Sequence, residues 1–266
     1  MKLSIITVNY NNYNGLYNTI ESVISQTYKD YEFIVIDGGS SDGSKELLEK
    51  YDEYIDYWIS EPDNGIYNGM NKGIEKANGE FLNFMNSGDT FYKPTTLEEV
   101  INVMDGSDII VGKDYNEDPI TGESAITILP IRVSFATFFM QTLPHQSTFI
   151  RQTLFIDNLY DEHFQIVADW KFFIKKIVYD ESSVQLTDLI ICKREQNGIS
   201  NIQSKKVNEE RKRVLSQLIP AGIQKDYNSL SHLDRSTVYK LLNICDNKKT
   251  TVVLTIIIKI LYRLFQ

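Results

Sequence analysis

Apolar runs alternate with amphipathic segments along the first hundred residues. LSIITVN, YEFIVID and EFLNFMN are mostly apolar and predict buried strands, and YIDYWIS predicts a further strand before the last of them. Between them, GLYNTIESVISQ, SKELLEKYDE and GIYNGMNKGIEKA carry apolar residues at helical spacing. This alternation predicts an α/β fold, Rossmann-like, with a mostly parallel central sheet and helices on both of its faces.

The rest of the chain predicts a few more elements of both kinds. PTTLEEVINVM predicts a helix with Pro94 near its start, and ADWKFFIKKIVY predicts another. DIIVGKDY, SAITILP and VQLTDLIICKRE predict strands. From about Ser204 the pattern is helical with no further strand, so we expect a main domain over residues 1–203 and a C-terminal helical extension over residues 204–266.

Composition narrows the classes of partner. The 266 residues are 42% hydrophobic, which is enough for one sizeable core. The net charge of −9 argues against a nucleic-acid groove, because binding a polyphosphate requires clustered Lys and Arg. A small anionic substrate remains an alternative, but a positive charge must then offset the net negative charge of the protein. A bound divalent metal ion commonly supplies that charge.

Cysteine usage and the first residues favour a cytoplasmic protein. Cys192 and Cys245 are far apart and form no CxxC pair, so neither a disulfide framework nor a zinc site is indicated. The stretch MKLSIITVNYNN lacks the long apolar region and the small-residue cleavage site of a signal peptide.

Polar side chains end several of the predicted strands. Asn9 ends the first, Asp37 ends the second, and Asn86-Ser87-Gly88-Asp89 follows the fourth. Ligands of open parallel sheets bind at the carboxyl ends of the strands, so these residues are placed to contact one. IDGGSSDGS lacks the spacing of a dinucleotide fingerprint, and turn chemistry or helix capping is the alternative for Asp37 and for Asp42.

Several stretches together resemble a known family. TVNYNN, SQTYKDYEFIVIDGGSSDGS and EPDNGIYNGMNKGIEKANGEFLNFMNSGD closely resemble the family 2 glycosyltransferases, in that family's order and spacing. The resemblance continues through LPHQSTFIR and ADWKFF to about residue 200. It implies an A-type glycosyltransferase fold that transfers a sugar, with inversion, from a nucleotide-sugar donor, with a UDP-sugar favoured. The acceptor it implies is a glycan or lipid-linked sugar in bacterial surface-glycan assembly.

The resemblance also assigns donor-binding residues. It implies that Asp37 accepts a hydrogen bond from the base and that Asn71 orders the pocket. Lys72 either contacts the donor phosphates or is a solvated surface residue. The donor-binding residues it implies are Thr7, Asn9, Tyr10, Asp37, Asn71 and Lys72.

The metal motif departs from that of the family. Many members carry DxD where this chain has Asn86-Ser87-Gly88 followed by Asp89, and two adjacent acids where this chain has Asp37-Gly38. The resemblance implies Mg²⁺ or Mn²⁺ held by Asp89, with the amide oxygen of Asn86 able to help. The resemblance implies that His145 is a second metal ligand or a diphosphate contact. The alternative is a structural role, which a single His more often has.

Asp169 is the catalytic residue that the resemblance implies. An inverting transfer needs a carboxylate to remove the proton of the acceptor hydroxyl, and Asp169 in VADWKFF matches that position. An acid at a helix start is otherwise a capping residue, and the two roles are compatible. We expect Trp170 to lie in the core, and QNGISN resembles a mobile loop that closes near the donor.

The last residues raise a separate question of location. TTVVLTIIIKILYRLFQ is short and is interrupted by Lys259 and Arg263, so it does not predict a transmembrane span. As a helix it would bury a broad apolar surface, either on the catalytic domain or a partner subunit such as a second copy, or in a membrane interface. The second alternative would place the enzyme on the inner face of the plasma membrane.

Two other functions compete with glycosyl transfer. A nucleotidyltransferase would need a Gly-rich phosphate loop with a basic residue near the first strand, and TVNYNNYNG has no Lys or Arg. A non-catalytic nucleotide-binding or scaffolding subunit is the other alternative, which the incomplete DxD motif favours. The retained Asp37, Asp89 and Asp169 argue against it.

Overall fold

The computed structural model describes residues 3–117, 121–194, 204–229 and 237. The chain divides into two compact units, one made of residues up to 129 together with 142–214, the other of residues 130–141 and those from 215 onward. The division that we expect after residue 203 stays a prediction, because residues 195–203 lie outside the described part of the chain.

Nine strands of the described residues form one sheet, which lies in the first unit. They are β1 (Leu3–Asn9), β2 (Tyr31–Asp37), β3 (Tyr57–Ser60), β4 (Phe81–Phe84), β5 (Thr90–Phe91), β6 (Ile109–Glu117), β7 (Ser124–Ile126), β8 (Thr148–Arg151) and β9 (Val184–Arg194). Their order is β3-β2-β1-β4-β8-β6-β9-β5, with β7 pairing with β6. Strands β3, β2, β1 and β4 are mutually parallel, whereas β8 runs antiparallel to both β4 and β6.

The helices follow the strands in the alternation that the sequence predicts. They are α1 (Tyr13–Ile24), α2 (Ser44–Lys50), α3 (Ile66–Lys76), α4 (Thr96–Val103), α5 (Phe135–Met140), α6 (Ala168–Phe173), α7 (Ser204–Leu218) and α8 (Ala221–Ser229). A π-helical turn, Ile174–Tyr179, continues α6. The predicted α/β fold of a sheet flanked by helices is confirmed.

Helices cover β1 and β2 on both faces, which explains why both strands are mostly apolar and do not alternate with exposed polar residues. One face, with Ile5 and Phe33, forms a buried cluster that includes Leu16 of α1 and Leu47 of α2. On the other face α3 lies so close that a Cβ on Gly73 would stand 2.5 Å from Cγ2 of Ile6. Strands buried on both faces need no polar alternation, so a continuous apolar run is their sequence signature.

Some elements differ from the sequence prediction. SAITILP forms a strand only over Ser124–Ile126, and ADWKFFIKKIVY is split between α6 and the π-helical turn. Strands β5 and β8 and helix α5 were not predicted, because two to six residues are too few to establish a period. The chain after Ser204 is helical where it is described, as expected.

Parts of the chain on which other predictions depend lie outside the described residues. These are the QNGISN loop, Cys245 and the apolar segment from residue 250 to the end. Within the ranges that the structure covers, no helix combines the length and the apolar character needed to cross a bilayer.

We expect the Gly73→Ala variant to lose about 1–3 kcal/mol of unfolding free energy, because the added methyl group overpacks the contact between α3 and Ile6. The matched control is Gly222→Ala in α8, where a Cβ meets nothing within 4 Å. Urea denaturation followed by circular dichroism measures both variants. A Gly73→Ala protein as stable as the wild type would contradict the close approach.

Candidate active site

The carboxyl ends of three neighbouring strands present a hydrogen-bonded row of polar side chains. Parallel register aligns Asn9 of β1 with Asp37 of β2, and Asp37 with Ser60 of β3. Asn9 Nδ2 donates to Asp37 Oδ1 at 2.7 Å, and Ser60 Oγ donates to Asp37 Oδ2 at 2.6 Å. The carboxylate is completely buried, so these donors take the place of water around it.

Asp37 also fixes the loop that follows β2. Its two oxygens accept from the backbone N–H of Ser40 at 2.9 Å and from Ser40 Oγ at 2.5 Å. Gly39 in this loop has a φ of +78°, and a Cβ there would lie 2.9 Å from the nitrogen of Pro62. A left-handed turn pressed against another backbone requires glycine, which explains the residues after Asp37 in IDGGSSD.

A pocket of about 870 Å³ opens beside this row of side chains. Of the residues predicted from the sequence, it is lined by Asn9, Tyr10, Asp89, His145 and Asp169. The structure therefore brings together side chains from β1, from the loop after β4 and from α6, which lie far apart in the sequence.

The other predicted donor residues do not line this pocket. Thr7 is buried and its Oγ1 donates to the Met85 carbonyl at 2.7 Å. Lys72 forms an ion pair with Glu61, with 2.7 Å between Nζ and Oε1. Asp37 lies behind Asn9 and the glycine loop, which are themselves part of the lining.

Asn71 holds the segment between β8 and α6 in place. Its Nδ2 donates to the Tyr160 carbonyl at 2.9 Å and to Glu162 Oε1 at 2.8 Å, and its Oδ1 accepts from the Tyr160 N–H at 2.9 Å. These bonds place the Tyr160 ring near His145, another lining residue.

The turn after β4 carries the oxygen atoms suited to a cation. The Asp89 N–H donates to the Asn86 carbonyl at 2.9 Å, and Thr19 Oγ1 donates to the Asp89 carbonyl at 2.7 Å. Asn86 Oδ1 is buried and has no hydrogen-bond partner, and both Asn86 and Asp89 line the pocket. A carboxylate beside an unpartnered amide oxygen fits Mg²⁺ or Mn²⁺. Among the described residues no three His, Cys, Asp or Glu side chains form a metal-binding group, so ligands from outside the protein would have to complete the coordination.

His145 is held in position by two aromatic neighbours. Its Nε2 lies 2.8 Å from the Tyr160 hydroxyl, and its ring stacks on Phe84 with 5.0 Å between centroids. Burial lowers the pKa of His145, and the negative charge of Asp169 opposes this only in part. An uncharged imidazole is the form that can bind a metal ion.

Asp169 lies in the first turn of α6 and is oriented by a tyrosine of α3. The Tyr67 hydroxyl is 2.7 Å from Asp169 Oδ1 and 2.7 Å from the Ile166 carbonyl, so its single proton can be donated to either. Burial and the charge of Asp169 raise the pKa of Tyr67 well above its ordinary value. Tyr67 therefore remains a donor at any physiological pH.

Trp170, the neighbour of Asp169, is only 2% exposed, so it is mainly a core residue, as expected. The guanidinium of Arg211 lies over its ring, 5.2 Å from the centroid, and both residues contribute to the pocket lining.

Sequence reasoning missed several residues of this site. Arg194 at the end of β9 lines the pocket, and its Nη1 is 4.0 Å from the buried Asp114 Oδ2. Burial raises the pKa of Asp114, with a hydrogen bond from Ser147 acting in the opposite direction. The charged end of VQLTDLIICKRE was the only signal for Arg194. Tyr67 lies in a stretch recognised as a helix, where nothing indicated a contact with residues 166 and 169.

The carboxylate of Asp161 stabilises the segment before α6. Asp161 Oδ2 accepts from Lys171 Nζ at 2.6 Å, and Oδ1 accepts from the His163 N–H at 3.1 Å. Although burial acts in the opposite direction, hydrogen bonds from Lys171 and His163 lower the pKa of Asp161 from 3.8 to about 2. The ionised form is thus favoured in the folded state.

We expect Asp161→Asn to lose roughly 1 kcal/mol of unfolding free energy at pH 7. This value is smaller than the pKa shift alone implies, because solvent screens the partly exposed pair of Asp161 and Lys171. The lowered pKa makes the contribution complete above pH 3.8 and lost as the pH falls through about 2. Urea denaturation at pH 7 and between pH 4 and 2 measures the difference from wild type. A difference that does not shrink at low pH would contradict this role. Adding Lys171→Met to Asp161→Asn should lower the unfolding free energy little further, because the partner of Lys171 is already gone.

Comparisons with known proteins agree with the resemblance. The family model described as Glycosyl transferase family 2 matches residues 4–164. An uncharacterized glycosyltransferase of Mycobacterium tuberculosis is 31% identical over 205 residues, which cover 75% of this chain and 77% of the relative. A PGL/p-HBAD biosynthesis glycosyltransferase of Mycobacterium bovis is 26% identical over 165 residues, covering 59% of this chain and 62% of the relative.

Solved structures share the fold at lower identity. Staphylococcus aureus TarS superimposes with a TM-score of 0.66 at 18% identity, over 89% of this chain but only 45% of the TarS chain. Residues 1–349 of TarS have also been solved in complex with UDP-GlcNAc. The mannosyltransferase PcManGT of Pyrobaculum calidifontis, in complex with GDP-Man and Mn²⁺, gives a TM-score of 0.63 at 11% identity, over 97% of this chain and 79% of that one. These similarities show an A-type glycosyltransferase fold.

Proposed function

Since this chain belongs to glycosyltransferase family 2, we propose that it transfers a sugar from a UDP-sugar to an acceptor hydroxyl, with inversion at the anomeric carbon. The observation that carries the proposal is the lining of one pocket by Asn9, Asp89 and Asp169. A donor in this pocket would place its nucleoside toward the ends of β1 and β2 and its sugar toward α6.

Asp169 is the general base in this proposal. It takes the proton of the acceptor hydroxyl while that oxygen forms a bond to the anomeric carbon on the face opposite the diphosphate. The bond between the anomeric carbon and the diphosphate oxygen breaks, and the nucleoside diphosphate leaves with the electron pair. The hydrogen bond from Tyr67 to Oδ1 supports this role, because it fixes the direction of the carboxylate.

Side chains of both signs form the wall of the pocket that would receive the diphosphate. Asp89 and Asn86 would hold Mg²⁺ or Mn²⁺, with His145 as a further ligand, and the metal would neutralise charge on the departing diphosphate. Arg194 contributes a positive charge to the same wall. Lys72 would contact the phosphates only after leaving its ion pair with Glu61.

Nucleoside recognition would use the row of strand ends. Asn9 and Tyr10 line the pocket, and Tyr10 is 67% exposed, so its ring is free to lie against a base. Asp37 would act through a base N–H or by orienting Asn9, whereas Thr7 and Asn71 would support the pocket from behind. A UDP-sugar is favoured over a GDP-sugar by the similarity to TarS, which binds UDP-GlcNAc, although PcManGT binds GDP-Man.

The proposal includes the class of acceptor and the cellular location of the enzyme. We assign the acceptor to glycans or lipid-linked sugars of a bacterial surface, which the named role of the mycobacterial relatives in PGL/p-HBAD biosynthesis supports. The apolar segment over residues 250–266 would then serve a membrane surface on the cytoplasmic side, or else dock on the catalytic domain or on a second copy of the chain. Thermal-shift measurements with UDP-, GDP- and dTDP-sugars, each with and without Mn²⁺, test the donor class.

We expect Asp169→Asn to retain donor binding and to lose transfer about a hundredfold to ten-thousandfold, because the amide has the shape of the acid but cannot take a proton. Release of UDP from the UDP-sugar that gives the largest thermal shift measures the rate, and calorimetry with UDP measures binding. The matched control is Asp161→Asn, which changes the same residue type on the same segment without touching Asp169. Near wild-type transfer by Asp169→Asn would remove the base assignment.

We expect Asp37 and Asp89 to affect donor affinity in different ways. Asp89→Ala should abolish the part of UDP affinity that depends on Mn²⁺, whereas Asp37→Asn should weaken UDP binding about tenfold or more with or without the metal. Calorimetry with UDP in Mn²⁺ and in EDTA separates the two, with Asp30→Asn at the other end of β2 as the control. An undiminished Mn²⁺ effect in Asp89→Ala would refute the metal assignment.

A further inference from the structure

Helix α7 buries a carboxylate on its inner face. Val207, Glu210, Arg211 and Val214 are spaced as neighbours on one side of the helix, while most of its other positions are polar and exposed. Glu210 is only 4% exposed and Val214 is fully buried. A buried Glu costs several kcal/mol in desolvation unless hydrogen bonds replace its water, so its place on this face needs a reason.

The carboxylate binds the backbone that leads into α6. Glu210 Oε1 accepts from the Gln165 N–H at 3.0 Å, and Oε2 accepts from the N–H groups of Ile166 at 2.9 Å and Val167 at 3.3 Å. Three consecutive backbone donors on one carboxylate fix the path of this segment two residues before Asp169. An amide side chain has a single acceptor oxygen, so Gln at this position could satisfy only some of them.

The same segment is held from the opposite side by α3. The Ile166 N–H bonds to Glu210, and the Ile166 carbonyl is 2.7 Å from the Tyr67 hydroxyl that also reaches Asp169 Oδ1. Residue 166 is thus bonded to α7 through its nitrogen, and its carbonyl shares the single Tyr67 proton of α3 with Asp169. A displacement of this segment would change the position of the Tyr67 hydroxyl and of the carboxylate together.

We infer that Glu210 is a positioning residue for Asp169, so that α7 completes the catalytic geometry from a part of the chain beyond the family match, which ends at residue 164. The inference rests on the proposed role of Asp169 as base. Glu210 touches neither donor nor acceptor in this assignment. It acts through residues 165–167, and small displacements of a catalytic group are costly because the reacting atoms must be aligned.

The test compares Glu210→Gln with Glu209→Gln, whose carboxylate is exposed on the same turn of α7. In the full-length protein with Mn²⁺, we expect Glu210→Gln to lower kcat for UDP release from the donor UDP-sugar about tenfold to hundredfold. The KM for that donor and the calorimetric Kd for UDP should stay within about twofold, and Glu209→Gln should match the wild type. Hydrogen exchange at the amides of residues 165–167 should be faster in Glu210→Gln alone.

Val214→Ala separates positioning from general destabilisation, because it loosens the same face of α7 and leaves the carboxylate in place. Glu210→Asp, which keeps the charge but is too short for all three N–H groups, takes the place of Glu210→Gln if that variant does not fold.

The inference is overturned by unchanged kcat, by unchanged exchange at residues 165–167, or by an equal loss of kcat in a Val214→Ala protein of equal stability. If Asp169→Asn loses transfer while Glu210→Gln does not, this inference fails and the proposed function stands. If Asp169→Asn retains transfer, the base assignment itself fails.

Discussion

The parallel pairing of β1 with β2 and β4 is the constraint on which the site depends. Because β1 pairs with β2 in parallel register, Asn9 and Asp37 end at the same edge of the sheet, and β3 adds Ser60 to the row. The loop after β4 then carries Asn86 and Asp89 to this edge. Helices packed against both faces of β1 and β2 hold the strands, and with them the polar edge, in place.

Two carboxylates have different surroundings, the buried Asp37 at this edge and the half-buried Asp169 on the pocket wall. Asp37 accepts hydrogen bonds from Asn9, Ser40 and Ser60, so it organises the loop after β2 in addition to any contact with a nucleotide base. Asp169 instead lines the pocket and accepts from one hydroxyl donor, Tyr67. In the proposed function Asp37 is thus the structural acid and Asp169 the base, and the described residues supply more donors to the first than to the second.

The side of the pocket that we propose to be catalytic is assembled from three distant parts of the chain. Tyr67 of α3 donates to Asp169 of α6, whereas Glu210 of α7 accepts from the backbone just before α6, and both contacts join elements far apart in sequence. The first four strands of the A-type fold supply the polar edge, which the proposed function assigns to the donor. In the proposed arrangement, the acceptor side depends on the helices that follow the sheet.

The sequence by itself determined the alternation of strands and helices, the polar strand ends and the family, because apolar period and short motifs are local properties of the chain. It placed Asn9, Asp89, His145 and Asp169 in one site, and the structure lines one pocket with all four. It could not decide that Lys72 pairs with Glu61, that β8 enters the sheet antiparallel, or that Glu210 binds residues 165–167. These outcomes were decided only by the tertiary structure, because a charged side chain on a helix has the same local pattern whether its partner is water, a neighbouring loop or a substrate.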